Sequence, residues 1–392
     1  MLNGVNVALG VSGSIAAVKV VELAHELRRQ GATVRGVMTE SAQGIIHPWA
    51  VEFATENPVV TEITGQVEHV EMCGRSGWAD VLLLAPATAN TVGKIATAVD
   101  DTPVTTCATT ALGADVPVII APAMHEPMYD HPGVLDAIET VESWGVTFVS
   151  PRIEEQKAKI ATEDAIVTAV ASAAGSQPLG GQHIVVTAGA TAESIDPIRV
   201  LTNRSSGRTG RAVARECHIR GAEVTLIHTG NDVHYAQTRS VESIAEMRSA
   251  VFKTLDTGAD MFISAAAISD YTVDTASEKL RSGKPRTLEL EPTEKLLDAV
   301  RDAYPDLPMV GFKAETSGDE ESMIAIAESL RDRVTLSFVV ANDASVMGAA
   351  ETRAIVIDDS TTVVDDSKQA LGATIADKLV EKFSSDQKET TE

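Results

Sequence analysis

The sequence predicts an α/β protein of two Rossmann-like, three-layer domains. Three observations carry that expectation. Short apolar runs of strand length alternate with helix-length amphipathic patterns, which is how strands covered on both faces by crossover helices read. The alternation breaks once, in a Gly-, Pro- and Ser-containing stretch near the middle, and then restarts. Finally, 392 residues exceed what one ordinary core holds.

The first strand spans Val5 to Gly10 and runs through a Gly-Ser turn into a helix that begins near Ser14. Ile15, Val18, Val21, Leu23 and Leu27 recur at helical spacing, and Gly31 stops the helix. Further strands follow at Val34 to Met38, Val81 to Ala85 and Pro117 to Ala121. The run Ala171 to Gln182, ASAAGSQPLGGQ, is small and turn-rich, so the domains are set at 1–174 and 183–383, with a linker at 175–182. The second domain opens on HIVVTAG from His183, continues through a helix from about Gly210 to Arg220 and a strand from Glu223 to His228, and later places strands at Met261 to Ala265 and Leu336 to Ala341. Residues 384–392, SSDQKETTE, are a polar tail expected to fray.

Composition narrows the function classes. Hydrophobic residues make up 44% of the chain, yet no apolar run reaches the roughly 18 to 20 residues of a membrane span. The start, MLNGVNVALG, reads as a strand rather than a signal peptide, so a cytoplasmic protein without a membrane partner is expected. Cys73, Cys107 and Cys217 are far apart with no CxxC, which fits reduced structural thiols. A formal charge of −24, from 56 acidic against 32 basic residues of which 13 are Lys, excludes nucleic acid as a natural partner and resembles a salt-adapted surface. Such a surface repels anions, although beyond about 8 Å the field is screened. Anion sites must then be built locally.

The densest polar stretch is Val185 to Gly210, VVTAGATAESIDPIRVLTNRSSGRTG, where a strand enters a loop crowded with donors just ahead of a helix. That is a setting for a phosphate or carboxylate. In the first domain, Gly10, Gly13 and Ser14 lie between a strand and a helix start, either as a tight turn with Ser14 as cap or as a phosphate cradle. The pattern departs from GxGxxG and from the P-loop, and favours a mononucleotide over a dinucleotide. Two more loops, Ala85 to Thr91 and Ala121 to Met128, follow strand C-termini, the edge where open parallel sheets bind ligands. His69 stands shortly before Trp78-Ala79-Asp80.

Together these residues resemble the flavin-dependent cysteine decarboxylase family. Its GS(I/V)A turn, its His before a WAD segment, its PxxANT-like loop and its PAMN-like loop read here as Gly13-Ser14-Ile15-Ala16, His69 with Trp78-Ala79-Asp80, Pro86 to Thr91, and Pro122-Ala123-Met124-His125. The Val185 to Gly210 loop and AAAISDY from Ala265 resemble phosphopantothenate-cysteine ligase. The two halves in this order, from roughly Val5 to Phe383, resemble the bifunctional phosphopantothenoylcysteine decarboxylase/phosphopantothenate-cysteine ligases of coenzyme A biosynthesis.

The resemblance implies an N-terminal flavoprotein domain and a C-terminal ligase domain. In the first, FMN would oxidise the cysteinyl thiol of the substrate, which makes the neighbouring carboxylate labile, and would then be restored by reducing the enethiol. It places FMN on Gly13, Ser14 and Ile15, on Thr39, Glu40 and Ser41, on Ala87, Thr88, Ala89 and Asn90, and on Ala123, with His69 catalytic. An imidazole suits proton handling near neutral pH. His125 stands where the family has an Asn that holds the substrate carboxylate, and can still donate a hydrogen bond. The family's flap Cys has no counterpart in Pro151 to Ile160; Glu154, Lys157, Lys159 or a water would return the proton, and Lys157 and Lys159 could equally grip the substrate phosphate.

For the ligase the resemblance implies CTP, Mg²⁺, 4'-phosphopantothenate and cysteine. The pantothenate carboxylate attacks the α-phosphate, pyrophosphate leaves, and cysteine attacks the acyl-cytidylate. Asn203 would serve that intermediate, while Gly189, Arg199, Ser205, Ser206 and Gly207 would shape the anion site. Ser264, Ala265, Ala266 and Asp270 resemble the cytidine segment, Lys279 the lysine tied to forming the intermediate, and Pro292, Thr293, Glu294, Lys295 and Phe312 the nucleotide wall. Arg331 and Arg333 stand where relatives place triphosphate lysines. No metal ligands are assigned. The family implies a homo-oligomer, with trimeric flavin domains and dimeric ligase domains. Two rival readings remain: a ligase whose flavin domain is regulatory, and an NAD(P)-dependent oxidoreductase.

Overall fold

The computed structural model describes residues 1–154, 157–315, 320–343 and 351–389. The chain divides into two compact units, Met1–Ser176 and Gln177–Glu392.

The first unit is built on five parallel strands, β1 (Asn6–Val11), β2 (Thr33–Met38), β3 (Val81–Ala87), β4 (Val118–Pro122) and β5 (Thr147–Phe148), in the order β2-β1-β3-β4-β5. Every residue of β3 and β4 is buried, because helices cover both faces. Chain order reverses between β1 and β3, the place beyond the strand C-termini where open α/β sheets bind ligands. Ser14 caps a 3₁₀ turn at Ile15–Lys19, and only then does the α-helix Val20–Arg29 begin. The expected apolar face therefore shifts. In a three-residue repeat Ile15 and Val18 eclipse each other on the outside, 78% and 53% exposed, while Ala17, Val20, Leu23, Ala24 and Leu27 pack inward. A separate three-stranded sheet joins Met124–His125, Lys157–Lys159 and Arg152–Glu154; Glu155 and Gln156 of this flap lie outside the described residues.

The second unit holds eight strands: β6 (His183–Ala188), β7 (Glu223–His228), β8 (Gln237–Ser240), β9 (Met261–Ser264), β10 (Met309–Glu315), β11 (Phe338–Asp343), β12 (Glu351–Ile357) and β13 (Thr361–Ser367), ordered β8-β7-β6-β9-β10-β11-β12-β13. All neighbours pair parallel as far as β11, and β12 and β13 complete the sheet antiparallel. Here chain order reverses between β6 and β9. The polar Val185–Gly210 stretch leaves β6 and the Ala265–Asp270 stretch leaves β9, so both loops flank the switch point. Leu179, from the small-residue run, is fully buried in this unit's core and its N–H donates to Arg220 O at 2.9 Å. Burying a leucine of this kind contributes about 1.5–3 kcal/mol. The C-terminal helix, Lys368–Glu389, runs through Ser384, where a frayed tail was expected; residues 390–392 of that tail lie outside the described ones.

All three cysteines are buried and free. A hydrogen bond with Cys73, together with burial, pushes the Cys107 thiol far up, and burial pushes Cys217 up to about 12, so neither is a ready thiolate.

Candidate active sites

In the first unit, three loops leave the C-termini of β1, β2 and β3 beside the switch point, each closed by a hydroxyl that caps the helical turn after it. Ser14 accepts from Ala16 N, Thr39 from Ala42 N and Thr88 from Thr91 N. The loops are also tied to one another. Ser12 Oγ donates to Pro86 O (2.8 Å) and accepts from Thr88 N (3.0 Å), while Ser14 Oγ donates to Ala123 O (3.1 Å). Thr39 Oγ1 and Ser41 Oγ share a hydrogen bond of 3.0 Å. Gly13 packs against that pair, and a Cβ there would lie 2.6 Å from Ser41 Cβ. Only glycine allows this approach. The structure thus brings together Gly13, Ser14, Thr39, Ser41, Thr88 and Ala123, with Ile15, Glu40, Ala87, Ala89 and Asn90 on the same loops, around capped helix starts that suit a small phosphate. Gly13→Ala should push Ser41 out of this cradle; if the cradle holds the flavin that the resemblance implies, the purified variant should keep less than about a tenth of the wild-type flavin by absorbance, a loss of about 1.4 kcal/mol or more in binding. Full retention of flavin would remove Gly13 from the site.

His69 lies in the short helix Glu68–Cys73, which starts at Val67 in a left-handed conformation (φ 52°). Its Nδ1 is buried and has no hydrogen-bond partner. On the flap sheet, His125 pairs with Lys157, and Lys157 in turn with Glu154, so the three form one row across the strands. Glu154 is held by Lys159 (3.0 Å) and Arg152 (2.9 Å), whose charges keep its carboxyl below the usual range. That ionised carboxylate is a poor proton donor.

In the second unit, a cavity of about 580 Å³ opens at the β6/β9 switch point. Asn203, Ser205, Ser206 and Gly207 form one wall, and Ser264, Ala265, Ala266 and Asp270 the next. Thr293, Glu294, Lys295 and Phe312 complete what the sequence reading had placed there. Asn203 joins the two loops: its Nδ2 donates to Ala267 O at 2.7 Å and its Oδ1 accepts from Ser205 N at 3.0 Å. Gly207, in the left-handed region (φ 71°), is packed so closely that a Cβ would lie 2.9 Å from Gly189 N, so Gly189 backs the wall rather than lining it.

Besides Gly189, four expected site residues, Arg199, Lys279, Pro292 and Arg331, do not line the cavity. Arg199 is bound to Asp196 and to Leu280 O, because the loop folds back on itself and Asp196 gathers the amides of Ile198, Arg199 and Leu280. Lys279 lies exposed on the neighbouring loop, and Pro292 sits in the exposed hairpin Tyr271–Val273/Leu290–Pro292. Of the two arginines expected near the triphosphate, Arg333 lines the cavity and is paired with Asp298. Arg331 instead binds Asp332 and Asp358 O. Sequence reasoning missed Lys313, Asn342, Thr352 and Lys368, all of which line the cavity. Lys313 had a local signal, a charge next to Phe312 at a strand end, whereas nothing in the sequence around Lys368 points to a site.

The Asp196 cluster carries its own test. Arg199, then the loop amides, hold the Asp196 carboxyl well below the usual carboxylate range. A depressed folded-state value means stabilisation that is complete above the unfolded pKa of about 3.9 and fades as pH falls through the folded value. Asp196→Asn should therefore melt below wild type from pH 8 down to 5, and the gap should begin to narrow below about pH 4 and go on shrinking as pH falls further. A gap that is constant with pH would show that the charge is not what holds the loop.

Two doubly wound domains, one with a capped three-loop cradle and the other with a cation-lined cleft at its switch point, define a two-domain α/β protein of the doubly wound, anion-binding class. Residues 1–175 match the family model Flavoprotein, and residues 179–383 match DFP, the DNA/pantothenate metabolism flavoprotein C-terminal domain. The chain is 49% identical over 361 residues to the coenzyme A biosynthesis bifunctional protein CoaBC of Thermococcus kodakarensis, covering 91% of this chain and 89% of the relative. The proteins of the same name from Methanocaldococcus jannaschii and Bacillus subtilis are each 35% identical, covering 88% and 89% of this chain and 85% and 88% of the relatives. Among solved structures, the C-terminal domain of a CoaBC is 27% identical, covering 54% of this chain and 100% of that one at a TM-score of 0.45. The chain belongs to the CoaBC family of bifunctional coenzyme A biosynthesis enzymes. The family resemblance, the two-domain architecture and the assignment as a decarboxylase joined to a ligase are borne out, and the nicotinamide rival is set aside. Among the described residues no helix is long and apolar enough to cross a membrane.

Proposed function

We propose that the C-terminal domain joins 4'-phosphopantothenate to cysteine using CTP, and that the N-terminal domain decarboxylates the product with FMN in the three-loop cradle. The observation that carries the first half is Asn203, which bridges two switch-point loops inside the cavity. A carboxylate at neutral pH is a poor electrophile, so activation by a nucleotide needs fixed donors around the charge that builds on phosphorus. The Ser205-Ser206-Gly207 segment at the start of the helix Arg208–Ile219 offers such donors. Asn203 holds that segment against Ala267, where a reacting acyl phosphate would lie.

Among the described residues no group of three or more His, Cys, Asp or Glu could hold a metal. In this reading Mg²⁺ therefore enters on the triphosphate. Lys279 and Arg199 serve from outside the cavity, Lys279 by loop movement and Arg199 by fixing the loop that carries Asn203. Bound flavin supplies the two-electron oxidation that makes the cysteinyl carboxylate labile. His69 moves the proton at the reacting carbon or thiol, a role supported by its buried Nδ1 having no hydrogen-bond partner; His125 and Lys157 pair across the flap sheet and hold the carboxylate or return the last proton. Ile15 at 78%, Trp49 at 75% and Phe53 at 75% are the most exposed of the large apolar side chains this domain leaves in solvent, which supports association through this domain; the trimer and the cytoplasmic setting are what the family resemblance implies.

Purified protein should be yellow with the absorbance of oxidised flavin. Given 4'-phosphopantothenate, cysteine and Mg²⁺, it should release pyrophosphate only when CTP is present, and not with ATP or UTP. Pyrophosphate formed equally from all three nucleotides would remove the cytidine assignment.

A further inference from the structure

We infer that Arg208 and Lys368 together form one phosphate seat at the mouth of the ligase cavity, a seat assembled by the crossing of two helices. The inference rests on the ligase reading of this cavity and adds to it a group from the far C-terminal helix.

Two independent features place the pair. The helices Arg208–Ile219 and Lys368–Glu389 pack without an intervening side chain: a Cβ on Gly372 would lie 2.8 Å from Ala212 C and 2.9 Å from Ala212 O. Arg208 precedes Ala212 by four residues, and Lys368 precedes Gly372 by four. Residues four apart lie one above the other on a helix face, so each cation stands one turn before the crossing. Both line the same cavity. Ser367 fixes the start of the second helix, its Oγ accepting from Ala370 N at 3.2 Å.

The second feature is charge. In a chain of net charge −24, the cavity is lined by five cations, Arg208, Lys295, Lys313, Arg333 and Lys368, against two carboxylates, Asp270 and Glu294. Lys295 is paired with Asp270 and Arg333 with Asp298. Lys368 makes no ion pair among the described residues, and burial together with the neighbouring Arg208 guanidinium pushes its ammonium below the ordinary value. An ammonium that is partly buried, carries no ion pair and stands beside a guanidinium costs free energy unless an anion joins it. A phosphoryl group fits, with Arg offering a planar fork and Lys a point charge.

Two sources share this chemistry, the triphosphate of the nucleotide and the monoester phosphate of 4'-phosphopantothenate. Titration calorimetry of the full-length protein with inorganic tripolyphosphate at fixed ionic strength should show Lys368→Gln binding about 10- to 100-fold more weakly than wild type, the loss of one hydrogen bond to a charged group. Lys368→Arg should restore binding to within about threefold, which a merely structural role at this position would not give. Arg208→Gln should weaken binding in the same range. In pyrophosphate-release kinetics, a rise in KM confined to CTP assigns the seat to the triphosphate, and a rise confined to 4'-phosphopantothenate assigns it to the monoester. Equal tripolyphosphate affinity in wild type and Lys368→Gln, or no binding by either, overturns the seat. Wild-type protein that binds tripolyphosphate in a Lys368-dependent way yet makes no pyrophosphate from CTP would leave the seat standing and sink the ligase reading instead.

Discussion

Changing Asn203 to Asp should lower CTP-dependent ligation by about 10²- to 10³-fold, the range for removing one preorganised donor from a site of developing negative charge. The side chain is used at both ends, Nδ2 on Ala267 O at 2.7 Å and Oδ1 on Ser205 N at 3.0 Å. A carboxylate keeps the second contact and turns the first into repulsion between two acceptors. It also adds negative charge to a cavity whose ligands are anions. The loops at the β6/β9 switch point would separate, and the acyl phosphate would lose its fixed donors. Decarboxylation of supplied 4'-phosphopantothenoylcysteine takes place in the other domain and should stay within about twofold of wild type, since distant sites act independently. Ligation within tenfold of wild type would show that Asn203 is only a loop fastener.

His69→Asn should do the reverse, lowering CO2 release by about 10²- to 10⁴-fold, the usual size of a lost general acid–base group. The geometry behind this is an imidazole on a six-residue helix, Glu68–Cys73, whose Nδ1 is buried with no partner. A buried polar atom left unmade costs about 1–3 kcal/mol, a cost that a hydrogen bond to a ligand would remove. Removing it should leave the melting temperature unchanged or slightly raised, while flavin content and ligation persist. Loss of flavin along with CO2 release would make His69 a cofactor-binding group rather than a proton-handling one.

What was legible in the sequence is what local chemistry dictates. Unbroken apolar runs fixed the parallel strands, and Ser14, Thr39 and Thr88 marked helix starts because a hydroxyl cap has a local signature. Asn203, Ser205 and Gly207 stood out because no packing argument calls for such a loop, and the cavity contains them. What failed depends on distance in sequence or on small energy differences. Ile15 and Val18 fit a helical period, yet the first turn tightens to a 3₁₀ repeat and turns them outward. Arg199 looked like an anion ligand until Asp196, three residues earlier, was seen to satisfy it. Lys368 follows Arg208 by 160 residues, and the Gly372–Ala212 crossing brings the two together.

The central claim is that one chain carries both activities in sequence. The most direct test incubates the wild-type protein with 4'-phosphopantothenate, CTP, Mg²⁺ and cysteine labelled in its carboxyl carbon, and counts pyrophosphate and labelled CO2 in the same tube. The account predicts one CO2 for each pyrophosphate, with none of either when CTP is omitted. Pyrophosphate accumulating without labelled CO2 would contradict it and leave a ligase attached to a flavin domain that does not decarboxylate.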